Sequence, residues 1–361
     1  MWQVMVCGAG KIGRFVAVLL ARTGSYQVTL IDAQQPDTQL ALLCRQYSSL
    51  IFLQLCVTDS AALQQLCEQH SFVALISCLH ADLNIPLAKI ALTYKLHYFN
   101  LSEDRQTKAR ISEFAKQAKT AFVPQCGIAP GLVDISAHHL MQQFDELKSA
   151  TLSVGALPQS VNNSIHYDLS WSIDGLVNEY LNPCRVIEDG IDKEVPALSG
   201  LETLNIEGEV YEMFHTSGGL GTLADFYQGK LHTMHYKTIR YEGHATAMHK
   251  LFKKYNYDHH AIVEWFRENI PVTTQDMVVM YICITGKINQ EFIERSIVDK
   301  WYAQPLDGHH WSAIQWTTAS EICALCDMVL FNPERFQGLI QHQDIDYEVL
   351  KGNRFMRWCI S

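Results

Sequence analysis

The sequence predicts an α/β fold: an N-terminal doubly wound parallel sheet followed by an α+β domain with a mixed, largely antiparallel sheet. Three observations predict it. Strand-like and helix-like segments alternate over residues 1–124, a glycine turn joins the first strand to the first helix, and the texture changes at a Gly/Pro-rich loop over 125–131. Strands alternating with helices at this rhythm require right-handed crossovers, which lay the strands parallel between two helical layers.

Residues 1–7 read as a strand, 8–13 as a turn, and 14–23 as a helix with Phe15, Val18 and Leu19 at helical spacing. A second strand over 27–31 ends at Asp32 and precedes a helix over 40–47. The pattern repeats with strands over 51–57, 72–79 and 97–101 and helices over 60–69, 83–92 and 107–119, before a short strand at 121–124. Beyond it, a helix is predicted over 133–144, alternating strand-like runs such as 149–155, a long strand over 277–287 and a helix over 317–330. The expected domains are 1–124, completed by C-terminal helices over 317–361, and 125–316.

The chain has 361 residues, 48% hydrophobic and 18% charged, enough for two domains and too apolar for disorder. Its longest apolar runs, 72–79 and 277–284, fall short of the roughly 18 residues a membrane helix needs, so no membrane association is expected. A net charge of −10 with no basic stripe repels a phosphate backbone, so nucleic acid is not an expected partner. The N-terminus enters a strand without a secretory pattern, which makes the cytoplasm the expected compartment. Eleven cysteines scattered through apolar segments read as reduced thiols, including the Cys323/Cys326 pair, for which zinc or redox chemistry is not expected. The neighbouring histidines His138/His139, His259/His260 and His309/His310 do not argue for a metal, since adjacent helical residues point about 100° apart.

Gly8, Gly10 and Gly13 sit between strand and helix, where they permit the tight turn, the approach of a pyrophosphate and close helix–strand packing. Backbone N–H groups of Lys11, Ile12 and Gly13 then face the phosphates at the positive end of the helix dipole. Asp32 ends the second strand, where a carboxylate accepts from ribose hydroxyls and repels a 2′-phosphate. No Arg or Lys occupies Ala33, Gln34 or Gln35, so NAD is expected over NADP. Asp59 either caps the next helix or approaches the adenine, and Ser77, Cys78 and Leu79 end the fourth strand on the expected nicotinamide side of this Rossmann domain.

Further motifs follow in order: Asn100-Leu101-Ser102-Glu103-Asp104, Gln125-Cys126-Gly127-Ile128-Ala129-Pro130-Gly131, Val154-Gly155-Ala156-Leu157-Pro158, Trp171-Ser172-Ile173-Asp174-Gly175-Leu176, Thr216-Ser217-Gly218-Gly219 and Arg240-Tyr241-Glu242-Gly243-His244. With the glycine turn, they make the chain resemble the saccharopine dehydrogenase-like family, particularly its lysine 6-dehydrogenase branch. The resemblance implies a Rossmann domain, a catalytic domain that also mediates oligomerisation, and oxidation or reduction of a carbon–nitrogen bond in a lysine-derived amine. Saccharopine reductases characteristically carry Asp where this chain has Ala129, which favours the lysine 6-dehydrogenase branch; Ala156 replaces the second glycine usual in its motif.

Oxidising an amine needs a neutral nitrogen, whereas a lysine amine has a pKa of about 10.4, so a proton acceptor is required. Glu103 and Asp104 are candidates, and helix capping is their equally suitable alternative. Arg240 is the expected clamp for a substrate carboxylate, with Tyr241 and His244 shaping the pocket, Trp171 and Ser172 walling it, and Thr216 as a hydroxyl partner. Cys126 reads as a pocket wall rather than a nucleophile.

Three functions compete. The first is NAD-dependent oxidation of lysine or a related amino acid or polyamine. The second is reductive joining of an aldehyde and an amine, as in saccharopine reductase or carboxynorspermidine dehydrogenase, which needs a second cationic clamp such as Lys237 or Arg185. The third is a non-catalytic NAD-binding sensor. A homo-oligomer is expected from the resemblance.

Overall fold

The computed structural model describes residues 1–161 and 163–357 and divides into two compact units, one formed by Met1–Gly127 with the chain from Thr317 onward, the other by Ile128–Trp316. The end of the expected 317–361 extension, residues 358–361, lies outside the described residues.

In the first unit the elements run β1 (Trp2–Cys7), α1 (Lys11–Ala21), β2 (Tyr26–Asp32), α2 (Thr38–Gln46), β3 (Leu50–Gln54), α3 (Ser60–Gln69), β4 (Phe72–Ser77), α4 (Ala81–Tyr94), β5 (His97–Asn100), α5 (Arg105–Ala115) and β6 (Ala121–Val123). With the two-residue strand Gly338–Leu339 they build a seven-stranded sheet in which β6, β5, β4, β1, β2 and β3 follow in that order. Every pairing is parallel. Burial on both faces explains the near-continuous apolar runs: Val4, Met5, Val6 and Cys7 of β1 and Ala74, Leu75 and Ile76 of β4 are fully enclosed. Strand order reverses between β1 and β4, the position at which open α/β sheets bind ligands beyond their carboxyl ends.

Aspartates start three of these helices. Asp37, Asp59 and Asp104 accept the N–H of Leu40, Ala62 and Thr107, each satisfying a donor that the first turn leaves without an intrahelical partner. The predicted strand over 51–57 is shorter, because the chain turns at Cys56, whose carbonyl accepts from Asp59 N–H.

The C-terminal part of the first unit contributes most of the helix Ala313–Phe331, whose Cys323 and Cys326 are fully buried. Burial raises both thiols above the ordinary range. Asp327 on this helix accepts from Tyr26, from Asn353 at 2.9 Å and from Arg354 at 2.6 Å, fastening the segment that follows.

The second unit contains α6 (Val133–Met141), β7 (Glu146–Pro158), α7 (Ile173–Leu181), β8 (Cys184–Glu188), β9 (Ile191–Val195), β10 (Glu202–Ile206), β11 (Glu209–His215), α8 (Leu223–Tyr227), β12 (Thr233–Tyr241), α9 (His244–Lys254), α10 (His259–Asn269), β13 (Asp276–Ile288) and β14 (Glu291–Tyr302). β10, β11, β12, β7, β13 and β14 lie side by side, with β8 and β9 attached through β12. Only β12 with β7 is parallel in this eight-stranded sheet, so it is mixed and largely antiparallel. Period-two alternation sends Val278, Met280, Ile282 and Ile284 of β13 to one buried face. Tyr167, Leu176, Val177, Tyr180, Phe214, Ala245, Met248 and Phe252 form a separate apolar cluster in this unit.

The helix predicted over 317–330 begins earlier, at Ala313. The reason is long-range: the buried carboxylate of Asp276 accepts the N–H of Ala313 at 2.5 Å and of Ile314 at 3.2 Å. No described helix is long and apolar enough to cross a membrane. Among the described residues no group of three or more His, Cys, Asp and Glu side chains is arranged to hold a metal ion.

Candidate functional site

Two sets of residues concentrate the chemistry, one in each unit. In the first, Gly8 turns the chain from β1 with a φ of +100°, and a Cβ there would meet Leu79 at 2.8 Å and the Cys78 carbonyl oxygen at 3.0 Å. A Cβ on Gly13 would stand 1.8 Å from the Gly8 carbonyl oxygen, so the helix can approach the turn only without a side chain. At Gly10, by contrast, a Cβ would meet nothing within 4 Å. This glycine is therefore not required by packing inside the protein, and it leaves open space where a pyrophosphate would approach.

Gly10 is also the N-cap of α1, with no side-chain cap and no acidic residue in the first turn. Lys11, Ile12 and Gly13 begin the helix, so an anion at this end meets backbone donors and the positive dipole end rather than a carboxylate. Those features fit a dinucleotide pyrophosphate. Asp32 lies beside the turn: its Oδ2 accepts Ala9 N–H at 2.7 Å and its Oδ1 accepts Gln34 N–H at 2.9 Å. Each oxygen keeps a lone pair for a ribose hydroxyl.

The sequence reading placed no cation near Asp32, but the fold brings one from α1. Arg14 donates Nε–H to the Ala9 carbonyl at 2.6 Å and pairs with Asp37 at 2.7 Å. Arg14 lies before β2 in the sequence rather than in the residues that follow it, and the first turn of α1 carries it back to the glycine loop.

Ser77 ends β4 and Cys78 follows it, with Cys78 N–H bonded to the Cys7 carbonyl at 2.8 Å. Burial pushes the Cys78 thiol up to about 12. Cys126 is likewise buried, its thiol donates to the Val123 carbonyl at 3.3 Å, and burial with the nearby Glu321 carboxylate raises it well above the ordinary range. It stays a neutral thiol, unsuited to nucleophilic attack. Asp59 and Asp104 are helix caps, which gives each carboxylate a structural task. The backbone carbonyl of Glu103 accepts from Gln125 Nε2 at 3.2 Å.

In the second unit, Arg240 is 2% exposed on β12. Its Nε donates to the Tyr180 hydroxyl and its Nη1 to the Ile239 carbonyl, each at 2.9 Å. The guanidinium carbon lies 5.1 Å from the centre of the Tyr167 ring and 5.9 Å from that of Tyr180. Glu212 stands opposite Arg240 in the register of β11 with β12. Its carboxylate instead caps α9, accepting from Gly243 N–H at 3.0 Å and from Ala245 N–H. Among the described residues Arg240 makes no ion pair, which leaves a buried cation held by neutral dipoles and aromatic faces.

His244 completes a directed chain. Its Nδ1 lies 2.6 Å from the Ile165 carbonyl, an acceptor only, so Nδ1 carries the proton. Nε2 then accepts from the Tyr180 hydroxyl at 3.0 Å, and the Tyr180 oxygen is free to accept from Arg240. Burial, reinforced by the Arg240 charge, lowers His244 to about 3, in keeping with a neutral ring. Trp171 donates its indole N–H to the Tyr167 hydroxyl at 3.0 Å, while Ser172 caps α7 by accepting Gly175 N–H at 3.2 Å. Thr216 is 2% exposed, and its hydroxyl has no partner among the described residues. Glu179, on α7, feels the Arg240 charge; burial outweighs that pull and raises its carboxyl to about 7.

Arg240, His244, Trp171 and Thr216, chosen from sequence, thus share the second unit with Tyr167, Tyr180 and Glu179, which the sequence reading missed. Tyr180 and Glu179 carry no motif, because a tyrosine and a glutamate on an amphipathic helix read as core and surface. Tyr241 departs from expectation: adjacent strand residues face opposite ways, and its hydroxyl donates to the Pro158 carbonyl at 2.8 Å. Lys237 pairs with Glu202 at 2.6 Å, and Arg185 pairs with Asp192 at 2.7 Å and Asp225 at 2.6 Å. Both proposed second clamps are already engaged.

Comparison with known proteins matches residues 4–124 to the saccharopine dehydrogenase NADP binding domain and residues 127–351 to the saccharopine dehydrogenase C-terminal domain. Mouse mitochondrial alpha-aminoadipic semialdehyde synthase is 23% identical over 264 residues, covering 70% of this chain and 28% of that protein. Saccharopine dehydrogenase [NADP(+), L-glutamate-forming] from Schizosaccharomyces pombe is 22% identical over 207 residues, covering 56% and 45%. The chain therefore spans less than half the length of these curated relatives. Among solved structures, apo saccharopine dehydrogenase (L-Glu forming) from Saccharomyces cerevisiae superposes with a TM-score of 0.78 at 16% identity, over 97% of this chain and 96% of that one. Homospermidine synthase from Legionella pneumophila gives 0.68 at 11% identity, over 100% and 90%.

Proposed function

Because this chain belongs to the saccharopine dehydrogenase family, we propose that it is a nicotinamide-dependent oxidoreductase acting on the carbon–nitrogen bond of lysine or a lysine-derived amine. The observation that carries this reading is the buried Arg240 guanidinium without an ion-pair partner among the described residues. Such a cation is costly to bury, and an incoming carboxylate offsets that cost through a planar two-bond fork.

The glycine turn and the start of α1 would hold the pyrophosphate, and Asp32 the ribose hydroxyls. When bound, the dinucleotide supplies the two-electron acceptor. Arg240 fixes the substrate carboxylate, and the Tyr180–His244 chain keeps Arg240 in place. In the oxidative direction the amine carbon loses a hydride, the nitrogen loses a proton, and the resulting imine is hydrolysed or cyclises. Oxidation of a singly headed amino acid is favoured over reductive joining, because the joined product carries a further carboxylate while Lys237 and Arg185 are already paired. Asp32 favours NAD, although the matched family domain is described as NADP binding.

The test is absorbance of reduced nicotinamide after mixing the protein with NAD or NADP and a panel of amino acids and polyamines, L-lysine first. Lysine-dependent reduction that falls at least about 100-fold in Arg240→Ala supports the reading, by the usual cost of losing a buried charged partner. Reduction by amines that lack a carboxylate, undiminished in that variant, would overturn it.

A further inference from the structure

β14 forms one side of the second unit's sheet: it pairs with β13, and among the described residues no strand lies along its other edge. Its ladder with β13 keeps an unbroken register from Glu291 to Tyr302, and the strand contains no proline. Bulges, prolines and short length are usual means by which an edge is kept from pairing with another chain, and this twelve-residue edge has none of them. It also leaves large apolar side chains open, with Phe292, Val298 and Tyr302 exposed by 60%, 45% and 51%. What the strand does carry is charge, and the order of that charge decides what can pair with it.

The side chains of β14 mirror one another about Ile297. Laid antiparallel to a second copy with a two-fold axis at that residue, Glu294 faces Lys300, Arg295 faces Asp299, Phe292 faces Tyr302 and Ile293 faces Trp301, and the symmetry makes each match twice. Opposed residues share a face of the sheet, so aromatic meets aromatic on one face, isoleucine meets tryptophan on the other, and each face gains an opposite-charge pair. Sliding the partner by two residues in either direction leaves no opposite-charge pair: Phe292 then faces Lys300 and Ile293 faces Asp299, or Glu294 faces Tyr302 and Arg295 faces Trp301. A further slide sets Arg295 or Asp299 against its own copy, which like charge opposes. The charges that deter pairing in general therefore admit one register with one partner. We infer that β14 is a self-recognition edge, through which two copies of this chain join as an antiparallel two-fold dimer with one sheet running through both. Existing contacts leave room for this: Lys300 holds Glu207 at 2.7 Å, but an ammonium has three donors, and Arg295 donates to the neutral amide oxygen of Gln143.

The test is sedimentation of the full chain at micromolar concentration, with wild type, Glu294→Lys and Lys300→Glu, each checked for folding by circular dichroism. The wild type is expected to be a dimer. Each variant alone opposes like charges twice and should weaken dimerisation at least about tenfold. Mixed in equal amounts, each variant presents the charge that the other now requires at both positions, so dimers should return. A second pair of variants reads the register directly. Ile297→Cys puts a thiol on the axis, where opposed Cα atoms lie about 4.5–5.5 Å apart and within disulfide reach, so oxidised glutathione should link two copies. Val298→Cys stands off the axis and should stay unlinked, as should the wild type with its native thiols. A monomeric wild type would overturn the inference. So would a dimer that both charge variants leave intact with no gain on mixing, because the copies would then meet elsewhere. If the charge variants do not fold, the cysteines decide: linkage at Val298→Cys as readily as at Ile297→Cys, or at neither, overturns the register. None of these outcomes depends on nicotinamide reduction, so the dimer and the proposed reaction stand or fall separately.

Discussion

Asp32 and Arg14 hold the same residue from two sides: the carboxylate accepts the N–H of Ala9 at 2.7 Å, and the guanidinium donates to its carbonyl at 2.6 Å. The glycine turn is thereby fixed by an anion and a cation whose charges would select oppositely at the adenosine ribose of the proposed dinucleotide. A carboxylate favours free hydroxyls and repels a 2′-phosphate, whereas an arginine draws the phosphate in. Arg14 is half committed already, through its pair with Asp37 at 2.7 Å.

Replacing the anion while leaving the cation should therefore move cofactor choice. Asp32→Ser keeps a short polar side chain and exposes the site to Arg14. The expected outcome is at least about a tenfold shift in the ratio of NAD to NADP affinity toward NADP, equivalent to about 1.4 kcal/mol. Asp32→Ser with Arg14→Ala should bind both weakly. Fluorescence titration with the reduced cofactors measures it, and an unchanged ratio in the single variant removes Asp32 from the ribose site.

Gly13 makes a separate prediction from shape alone. Its missing side chain would stand 1.8 Å from the Gly8 carbonyl oxygen, a backbone atom that cannot swing away. Gly13→Ala should cost about 1–3 kcal/mol of stability and abolish dinucleotide binding, because α1 must retreat from the turn. Gly10→Ala meets nothing in the protein, so it should fold normally and lose only cofactor affinity. Thermal unfolding with and without dinucleotide separates them, and equal loss of stability in both variants contradicts the assignment.

Legibility followed the range of the interactions. The parallel sheet could be read because its strands are short apolar runs separated by helix-period segments, and the turn because three glycines stand at fixed spacing. Asp59 and Asp104 could be read as caps because each bonds three residues ahead, whereas Asp37, which caps α2 in the same way, was not singled out. The helix start at Ala313 could not, since its capping carboxylate belongs to Asp276. The second-unit cluster was half visible for the same reason. Arg240 and His244 stand in one motif, whereas Tyr180 and Glu179 enter only when α7 packs beside β12, and Tyr241 leaves because a strand turns successive side chains apart.

Tyr180 is the link by which Arg240 reaches His244, and removing one oxygen tests it. Tyr180→Phe deletes the acceptor of Arg240 Nε and the donor to His244 Nε2, while the ring packing against Phe214 and Phe252 remains. Leaving buried polar groups without partners costs about 1–3 kcal/mol each. We expect lower stability together with a rise of at least about tenfold in the substrate concentration needed for half-maximal rate, by the same magnitude. Steady-state kinetics with a stability control is the check. A stability loss with unchanged substrate dependence would make the chain purely structural.

His97 predicts the acid limb of stability. Its Nδ1 accepts the N–H of Ala121 at 3.0 Å, an arrangement open only to the unprotonated nitrogen, and burial lowers its pKa to about 4. His342, with Nε2 at 3.0 Å from the Gln125 carbonyl, is lowered to about 4 as well. In the unfolded chain a histidine takes up its proton near 6.5, so below that pH the unfolded state binds more protons than the folded one. Stability from these groups is fully present above about pH 6.5 and is lost as pH falls toward about 4. At about 1.4 kcal/mol per pH unit, His97 alone accounts for roughly 3 kcal/mol across that window. His97→Gln retains an acceptor for Ala121 but cannot titrate, so its urea-unfolding free energy should fall less steeply between pH 6.5 and 4 than that of the wild type. Parallel slopes in the two proteins would show that His97 is as easily protonated folded as unfolded.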